Sequence, residues 1–455
     1  MKIFKITLSV ATLVVLNFSN TSANETLQKD NISQDHTFEK GYVEGKGYHL
    51  GYNWLLTGDL RSGWLEYDYS NPPGAENDHN INRGHTNSRG FYVIPKLSIT
   101  SPEWAGISGK LTGAAATDFG INDPKYESRN FVFDANDLES YMIVQELYLQ
   151  YNQNGNRALI GREELTTPMI DADDWYMLAN SFELAYYENS MLEHSTFNLG
   201  YFHKMAGVWD SGANGTEFHS MSDASFVSQQ DKDNADDAGV LFGSYQYSDT
   251  THNIQLWEYY ATDLYNMLFA QYDYKGTTDS FSYTLGAQFI NWKEIGKLAD
   301  NKARTNHIDY SLYSVRFDGA FNNGISFATG AAKYSDGEGQ GETLGAWGGY
   351  PYFANGMIFH FFEAGTLQNA ASYKTQLAYD IMDGLGISAR YTFWDLDASK
   401  STTVAGAPQD SMSMYGVRLS YNGTNSTYFT GTYEYVDLDN EPGISSLRLI
   451  GGIKF

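Results

Sequence analysis

Cysteine is absent from the 455 residues, which excludes disulfide frameworks, thiolate metal sites and cysteine nucleophiles. Beyond residue 18 no apolar run reaches the roughly 18 to 20 residues that a membrane-crossing helix requires. Basic residues are few: 29 Lys and Arg against 55 Asp and Glu give a formal charge of −26. So acidic a chain argues against nucleic acid as a partner, because phosphate backbones need a basic surface. No phosphate-binding glycine loop, metalloprotease helix or zinc-ligand spacing occurs. Proline is limited to 9 residues, and no Pro/Ser-rich linker, composition shift or low-complexity stretch divides the chain. One domain is expected.

Aromatic side chains, by contrast, are abundant: 15% of the chain, including 35 tyrosines. That is richer than most soluble domains and matches what the interfacial girdles of a membrane barrel consume. At the start, Lys2 and Lys5 precede an apolar run over 6–18, and the small residues Thr21 and Ala23 follow at cleavage spacing. This is the pattern of a cleaved secretory signal over 1–23. Its removal leaves residues 24–455, 432 in number, and takes the formal charge to −28 by losing the two lysines.

Strand-length alternating segments recur over 91–99, 146–151, 197–203, 253–259, 283–289, 315–317, 373–379, 387–393, 417–421 and 433–435, and helical spacing is sustained nowhere. The connectors are of two kinds. Tight turns are expected at 152–156, 276–279, 322–324, 383–386 and 422–425. Long loops cover 70–88, 118–140, 165–180, 206–236, 292–306, 335–369 and 397–410. Short on one side and long on the other is the asymmetry between the periplasmic turns and external loops of an outer-membrane barrel.

The chain ends on SLRLIGGIKF, in which Leu447, Leu449, Gly451, Ile453 and Phe455 share one strand face. A closing strand with such a face needs lipid to cover it. The fold expected is therefore all-β: one transmembrane antiparallel barrel of 18 strands over 24–455, about 24 residues per strand with its share of loop, wide enough for a water-filled lumen.

In such a barrel, chemistry belongs to inward side chains and to loops that fold into the lumen. Where Leu, Ile, Val, Phe and Tyr mark the lipid face, the opposite parity points inward. By this test Arg316, Arg390, Arg418 and Arg448 face the lumen, as do Lys96, Lys110, Lys204 and Lys374. Arg390, Arg418 and Arg448 come from three of the last four strands and form a basic stripe along which an anionic group can be handed from one guanidinium to the next. The alternative is that each cation pairs with a lumenal acid such as Glu146, Asp380 or Glu434 and only stiffens the wall.

The segment GREELTTPMIDADDWYMLANSFE at 161–183 leaves one strand at Arg162, makes a loop carrying Asp171, Asp173 and Asp174, and re-enters at Phe182. Together with GYFHKMAGVWD at 200–210, TSPEWAG at 100–106 and LRSGWLEY at 60–67, it resembles the OprD family of outer-membrane porins. The resemblance runs through most of the mature chain, but the long loops after Ala206 and Ser335 match no pattern of that family. It implies an 18-strand barrel integral to the bacterial outer membrane. Its eyelet would be set by the loop after Arg162, about 165–180, facing a basic ladder, and would pass small solutes that carry a carboxylate, such as amino acids and small organic acids. The inward cations above are the candidates for the ladder, and the three aspartates are the candidates for the acidic side of the constriction. Opposed charges of this kind orient dipolar solutes.

Asp171, Asp173 and Asp174 also allow a solvated loop tip or a calcium or magnesium site, and the acidic run over 231–237 is equally ambiguous. No other cofactor is expected. The partners expected are outer-membrane lipid, lipopolysaccharide and small solutes, with a homotrimer open. A general non-specific porin is one alternative function, and a structural barrel with a plugged lumen is another; small inward positions beside Gly200, Gly286, Gly330 and Gly416 argue against a plug. An outer-membrane enzyme would need a nucleophile and base at diagnostic spacing, and neither His203 nor His252 has a serine or carboxylate so placed.

Overall fold

The computed structural model describes residues 41–43, 47–50, 52–68, 87–123, 132, 139–174, 177–207, 217–224, 239–304, 307–339, 344–360, 366–401, 408–423, 426–440 and 442–455. The signal segment 1–23 and the acidic run 231–237 lie outside them.

Among the described residues eighteen long strands form one closed antiparallel sheet. They are β1 (Trp54–Asp68), β2 (Ser88–Thr100), β3 (Ile107–Ala116), β4 (Tyr141–Gln153), β5 (Asn156–Glu163), β6 (Ser181–Asn189), β7 (Ser195–Ala206), β8 (Val240–Ser248) and β9 (His252–Ala261). The second half comprises β10 (Tyr265–Thr277), β11 (Phe281–Glu294), β12 (Asp309–Phe321), β13 (Ile325–Tyr334), β14 (Ala371–Met382), β15 (Leu385–Asp395), β16 (Ser411–Asn422), β17 (Thr427–Leu438) and β18 (Ile444–Lys454). Each pairs with the next, and β18 returns to β1 in a register that runs from Ser445 opposite Asp68 to Lys454 opposite Asp59. Backbone bonds between Gly58 and Phe455, 2.8 and 2.9 Å, finish the seam. Closure leaves no edge strand, the condition for a sheet to sit in hydrocarbon.

The turns on one side are tight because the chain supplies residues that tolerate left-handed backbone. Between β4 and β5, Asn154 and Gly155 both have positive φ, 53° and 73°, which a two-residue hairpin of the favoured hand requires. The other side carries the long loops, with two exceptions: 262–264 and 439–443 are short although they lie at the loop end.

Outward positions are apolar and uncovered. Leu149, Ile160, Leu199, Val315, Leu377 and Val417 are all exposed, a belt that water would not tolerate at this extent. Exposed tyrosines flank it at both ends of the strands. Tyr151, Tyr187, Tyr274, Tyr379 and Tyr421 sit at the turn end, and Tyr260, Tyr313, Tyr373 and Tyr415 near the loop end. This is the aromatic double girdle of a barrel spanning a membrane.

Inside, the barrel is not simply wet. Inward side chains of the strands, Phe182, Phe202, Phe242, Tyr259, Trp292, Tyr310, Tyr334 and Trp394, are fully buried. They pack against loops folded into the lumen, whose Met169, Ile170, Met177, Trp347 and Phe359 belong to the same core cluster. Burial of roughly 150–250 Å² per aromatic side chain makes this filling a principal stabiliser of the barrel interior.

Candidate functional site

Among the described residues a second long loop enters the lumen beside the expected one. The loop expected at about 165–180 is there in its described residues 165–174 and 177–180, and a second segment at 344–360, within the long connector between β13 and β14, lies beside it. They join where Asp171 N–H donates to Trp347 O at 2.9 Å and Ile170 bridges Trp347 and Gly348.

The second loop runs along the inner wall, and six strands hold it by hydrogen bonds. Gln288 of β11 donates to Pro351 O at 2.8 Å, and Phe353 N–H donates to Ser314 Oγ of β12 at 3.3 Å. Ser372 of β14 donates to Ala354 O at 2.9 Å, and Thr392 of β15 to Asn355 O at 3.0 Å. Arg390, also on β15, gives Nη1 to Gly356 O at 2.6 Å and Nε to Gln376 at 2.9 Å. Arg418 of β16 gives Nη2 to Met357 O at 3.3 Å and Nε to Thr432 at 3.0 Å. On β17 the buried Glu434 carboxylate accepts from the backbone N–H groups of Met357, Ile358 and Phe359 at 2.7, 2.6 and 2.7 Å. At the far end Phe359 meets Tyr67 of β1 edge-on.

The small inward glycines make room for this filling. A Cβ on Gly416 would stand 2.8 Å from Met357 Sδ, and one on Gly330 would stand 3.5 Å from Phe353. Gly200 admits the ring of Phe242, and Gly286 the side chain of Arg316. Their smallness therefore does not mark open lumen, as the sequence reading held; it accommodates the inserted loop and neighbouring side chains.

Between the two loops and the wall formed by β1, β2 and β16–β18 lies a cavity of about 850 Å³. Arg61, Lys96, Arg418, Arg448 and Lys454 line it from the strands, with Asp59 and Tyr428. The loop at 164–180 contributes Glu164, Asp171, Asp173 and Asp174, and the second loop Tyr350, Met357, Ile358 and His360. Arg61 is the centre of the charged contacts. It is paired with Asp174, donates to Met177 O at 3.1 Å and to Tyr428 OH at 2.9 Å, and stands 3.5 Å from Asp59. Tyr428 OH in turn donates to Asp59 at 2.9 Å. Crowding pushes the Asp174 carboxyl up, and Arg61 more than offsets it, so the group sits below the usual carboxylate range. Burial pushes Asp171 up to about 7, against a 2.9 Å hydrogen bond from Thr166. Burial and then the charges of Arg390, Arg448 and Arg418 take the His360 imidazole down to about 3, so it is neutral across the physiological range. That three arginines act on one ring shows how closely the stripe converges there.

The parity assignments divide into two groups. Arg390, Arg418 and Arg448 face inward as one stripe. Arg316 faces inward but is held by Asp273 at 2.9 Å and Asp318 at 3.3 Å. Lys374 lies in electrostatic reach of Arg316, Arg390 and Asp318. Lys96 is paired with Glu164, and Lys110 with Glu146 at 2.7 Å.

Lys204 and Arg162 do not belong with these. A bulge in the pairing of β6 with β7 sets Lys204 opposite Glu183, between the buried Phe182 and Leu184 and so on the outer face. Arg162 shares the outward parity of exposed Ile160; it bonds Glu183 at 2.9 and 2.8 Å and lies over Phe218 at 4.1 Å. It stands at the root of the constriction loop, outside the lumen. His203 lies 3.8 Å from Glu183, and His252 meets Tyr272 OH at 2.9 Å.

Sequence reasoning missed Arg61, Asp59, Tyr428 and the whole second loop. Arg61 was findable: it follows exposed Leu60 in the seam strand, opposite the closing β18. Among the described residues, no group of three or more His, Asp or Glu side chains is disposed to hold a metal ion.

No family model matches the sequence, and no curated protein matches it. Solved structures do. Pseudomonas aeruginosa OccK9 (OpdG) is similar with a TM-score of 0.69 at 12% identity, covering 91% of this chain and 100% of that one. Acinetobacter baumannii OccAB3 gives 0.70 at 12% identity, with 89% and 99% covered. A BenF-like porin from Pseudomonas fluorescens gives 0.66 at 14% identity, with 89% and 98% covered. The fold of this chain is that of the OprD-type outer-membrane porins.

Proposed function

We propose that this protein is a passive outer-membrane channel, without enzymatic activity, for small hydrophilic solutes, and that it favours those bearing a carboxylate. The observation that carries the reading is the cavity itself. Arg61, Lys96, Arg418 and Arg448 stand on the wall, and Asp171, Asp173 and Asp174 on the loop that faces them. Guanidinium groups offer a fork that matches a carboxylate and a charge that does not titrate away. Opposed acids and bases across a narrow space set up a transverse field, which aligns a zwitterion or a hydroxy acid as it passes. The pair Arg61–Asp174 is one such opposed couple, and a solute carboxylate would compete with Asp174 for it.

Planar-bilayer recording tests this. The wild type is expected to conduct, with small carboxylates blocking or permeating more strongly than neutral analogues of equal size. Replacing Arg390, Arg418 and Arg448 together with alanine is expected to lower carboxylate flux and to shift the reversal potential toward cations. An unchanged reversal potential in the triple variant would remove the ladder from the account, and a wild type without current would remove the channel.

A further inference from the structure

We infer that Glu434 is a positioning residue that sets the size limit of the pore, by fixing the segment 357–360 as the wall of the constriction opposite the acidic loop. The inference rests on the channel reading above and deepens it, because it says what determines how large a solute can pass.

Glu434 projects inward from β17, and its carboxylate is wholly buried. Three consecutive backbone N–H groups converge on its two oxygens, Met357 on Oε1 and both Ile358 and Phe359 on Oε2. A carboxylate bound by three amides is an anion seated in a backbone nest, a strong and directional arrangement. The arginines expected to pair with Glu434 spend hydrogen bonds elsewhere: Arg390 on Gly356 O and Arg418 on Met357 O. The wall thus grips the loop by its carbonyls on one side of the nest and by its amides within it. The positive charges on β15 and β16 meet the carbonyls of Gly356 and Met357, and the negative charge on β17 meets the amides of Met357, Ile358 and Phe359.

That stretch borders the cavity. Met357, Ile358 and His360 line it directly, beside Arg418. Downstream, the tie from Phe359 is a ring contact with Tyr67, and upstream the side chain of Met357 lies over Gly416. Without Glu434, three buried amides lose their acceptor, a state that favours exchange of the segment into water. The loop then retreats from its present course and the constriction widens.

The test compares wild type with Glu434→Ala, refolded in detergent and checked for the barrel by its strand circular-dichroism signature. Single-channel conductance and the size cut-off for neutral polyethylene glycols are the readouts. Glu434→Ala is expected to conduct about twofold more than wild type, as a wider constriction lined by the same charges would, and to admit larger polymers. A second variant separates loop position from general damage. Because the chain has no cysteine, Met357→Cys with Gly416→Cys places one clean pair where a Cβ on residue 416 would stand 3.0 Å from Met357 Cγ. Added to Glu434→Ala and oxidised, it is expected to restore the wild-type conductance and cut-off, and reduction is expected to abolish the rescue. Unchanged conductance and cut-off in Glu434→Ala would overturn the inference, as would an oxidised triple variant that stays wide. If wild type conducts and Glu434→Ala matches it, only the positioning role fails; if neither conducts, the channel reading falls with it.

Discussion

The two ends of the lumenal basic stripe are alike in sequence and differ in what they face. At one end Arg316 and Arg390 spend their donors on the protein itself: Asp273 and Asp318 hold the first, and Gln376 and the Gly356 carbonyl hold the second. At the other end Arg61, Lys96, Arg418 and Arg448 border the cavity, the first three while also tied to Asp174, Glu164 and the Met357 carbonyl. A row of inward cations is therefore not one device. Arg316 and Arg390 are fasteners set away from the cavity; Arg61, Lys96 and Arg418 fasten a loop and also present their charge to the space a solute would cross.

Substitutions that treat the two ends alike should separate them. The largest effect is expected at the fastened end. Arg316→Met leaves Asp273 and Asp318 buried without their cation, and breaking a buried pair this way costs about 3–5 kcal/mol. Urea unfolding in detergent should show that loss, while the reversal potential of surviving channels stays at the wild-type value. A changed selectivity with unchanged stability would erase the contrast. At the cavity end, Arg61→Ala with Arg448→Ala should also lower stability, because Arg61 holds Asp174, the Met177 carbonyl and Tyr428, and should in addition weaken block by a small carboxylate about tenfold, the equivalent of one charge-assisted hydrogen bond.

The smallest effect concerns pH. Asp171 sits at about 7 because burial disfavours its charged form. Below that value it is neutral, and above it the carboxylate adds one negative charge to the cavity. Raising pH from 6 to 8 should therefore move the reversal potential a little toward cations, and Asp171→Asn should abolish the movement. Its neighbour Asp174, held ionised by Arg61, should show no transition in that range.

How much of this was legible follows from what faces what. Parity located Arg390, Arg418, Arg448, Arg316, Lys374, Lys96 and Lys110, because each has at least one clearly apolar or aromatic neighbour on the lipid face. It misplaced Lys204 because one extra residue in β7 reverses the alternation, and a bulge leaves no mark in the pattern of residue types. It was blind around Arg162 because Leu159 and Ile160 are both apolar although one is buried inside and the other is bare to lipid. The cause is the same as for the second loop. An interior filled by 344–360 needs apolar inward residues, and these blur the contrast on which parity depends. The loop itself, rich in Gly, Tyr and Phe with no repeating period, reads as any external loop until the strands that hold it are known. Glycines at 330 and 416 carried the signal, but it pointed to a neighbour rather than to a void.

The seam between β1 and β18 joins residues nearly four hundred positions apart, from Asp59 beside Lys454 to Asp68 beside Ser445. The first strand emerges from synthesis long before its partner exists, and every intermediate along the way has two raw margins. Such a topology assembles slowly, since so distant a pairing must pay its loop entropy before any contact rewards it. Until β18 reaches β1 both margins of the sheet stay unpaired, so closing this seam is the step that turns an open ribbon into a cylinder.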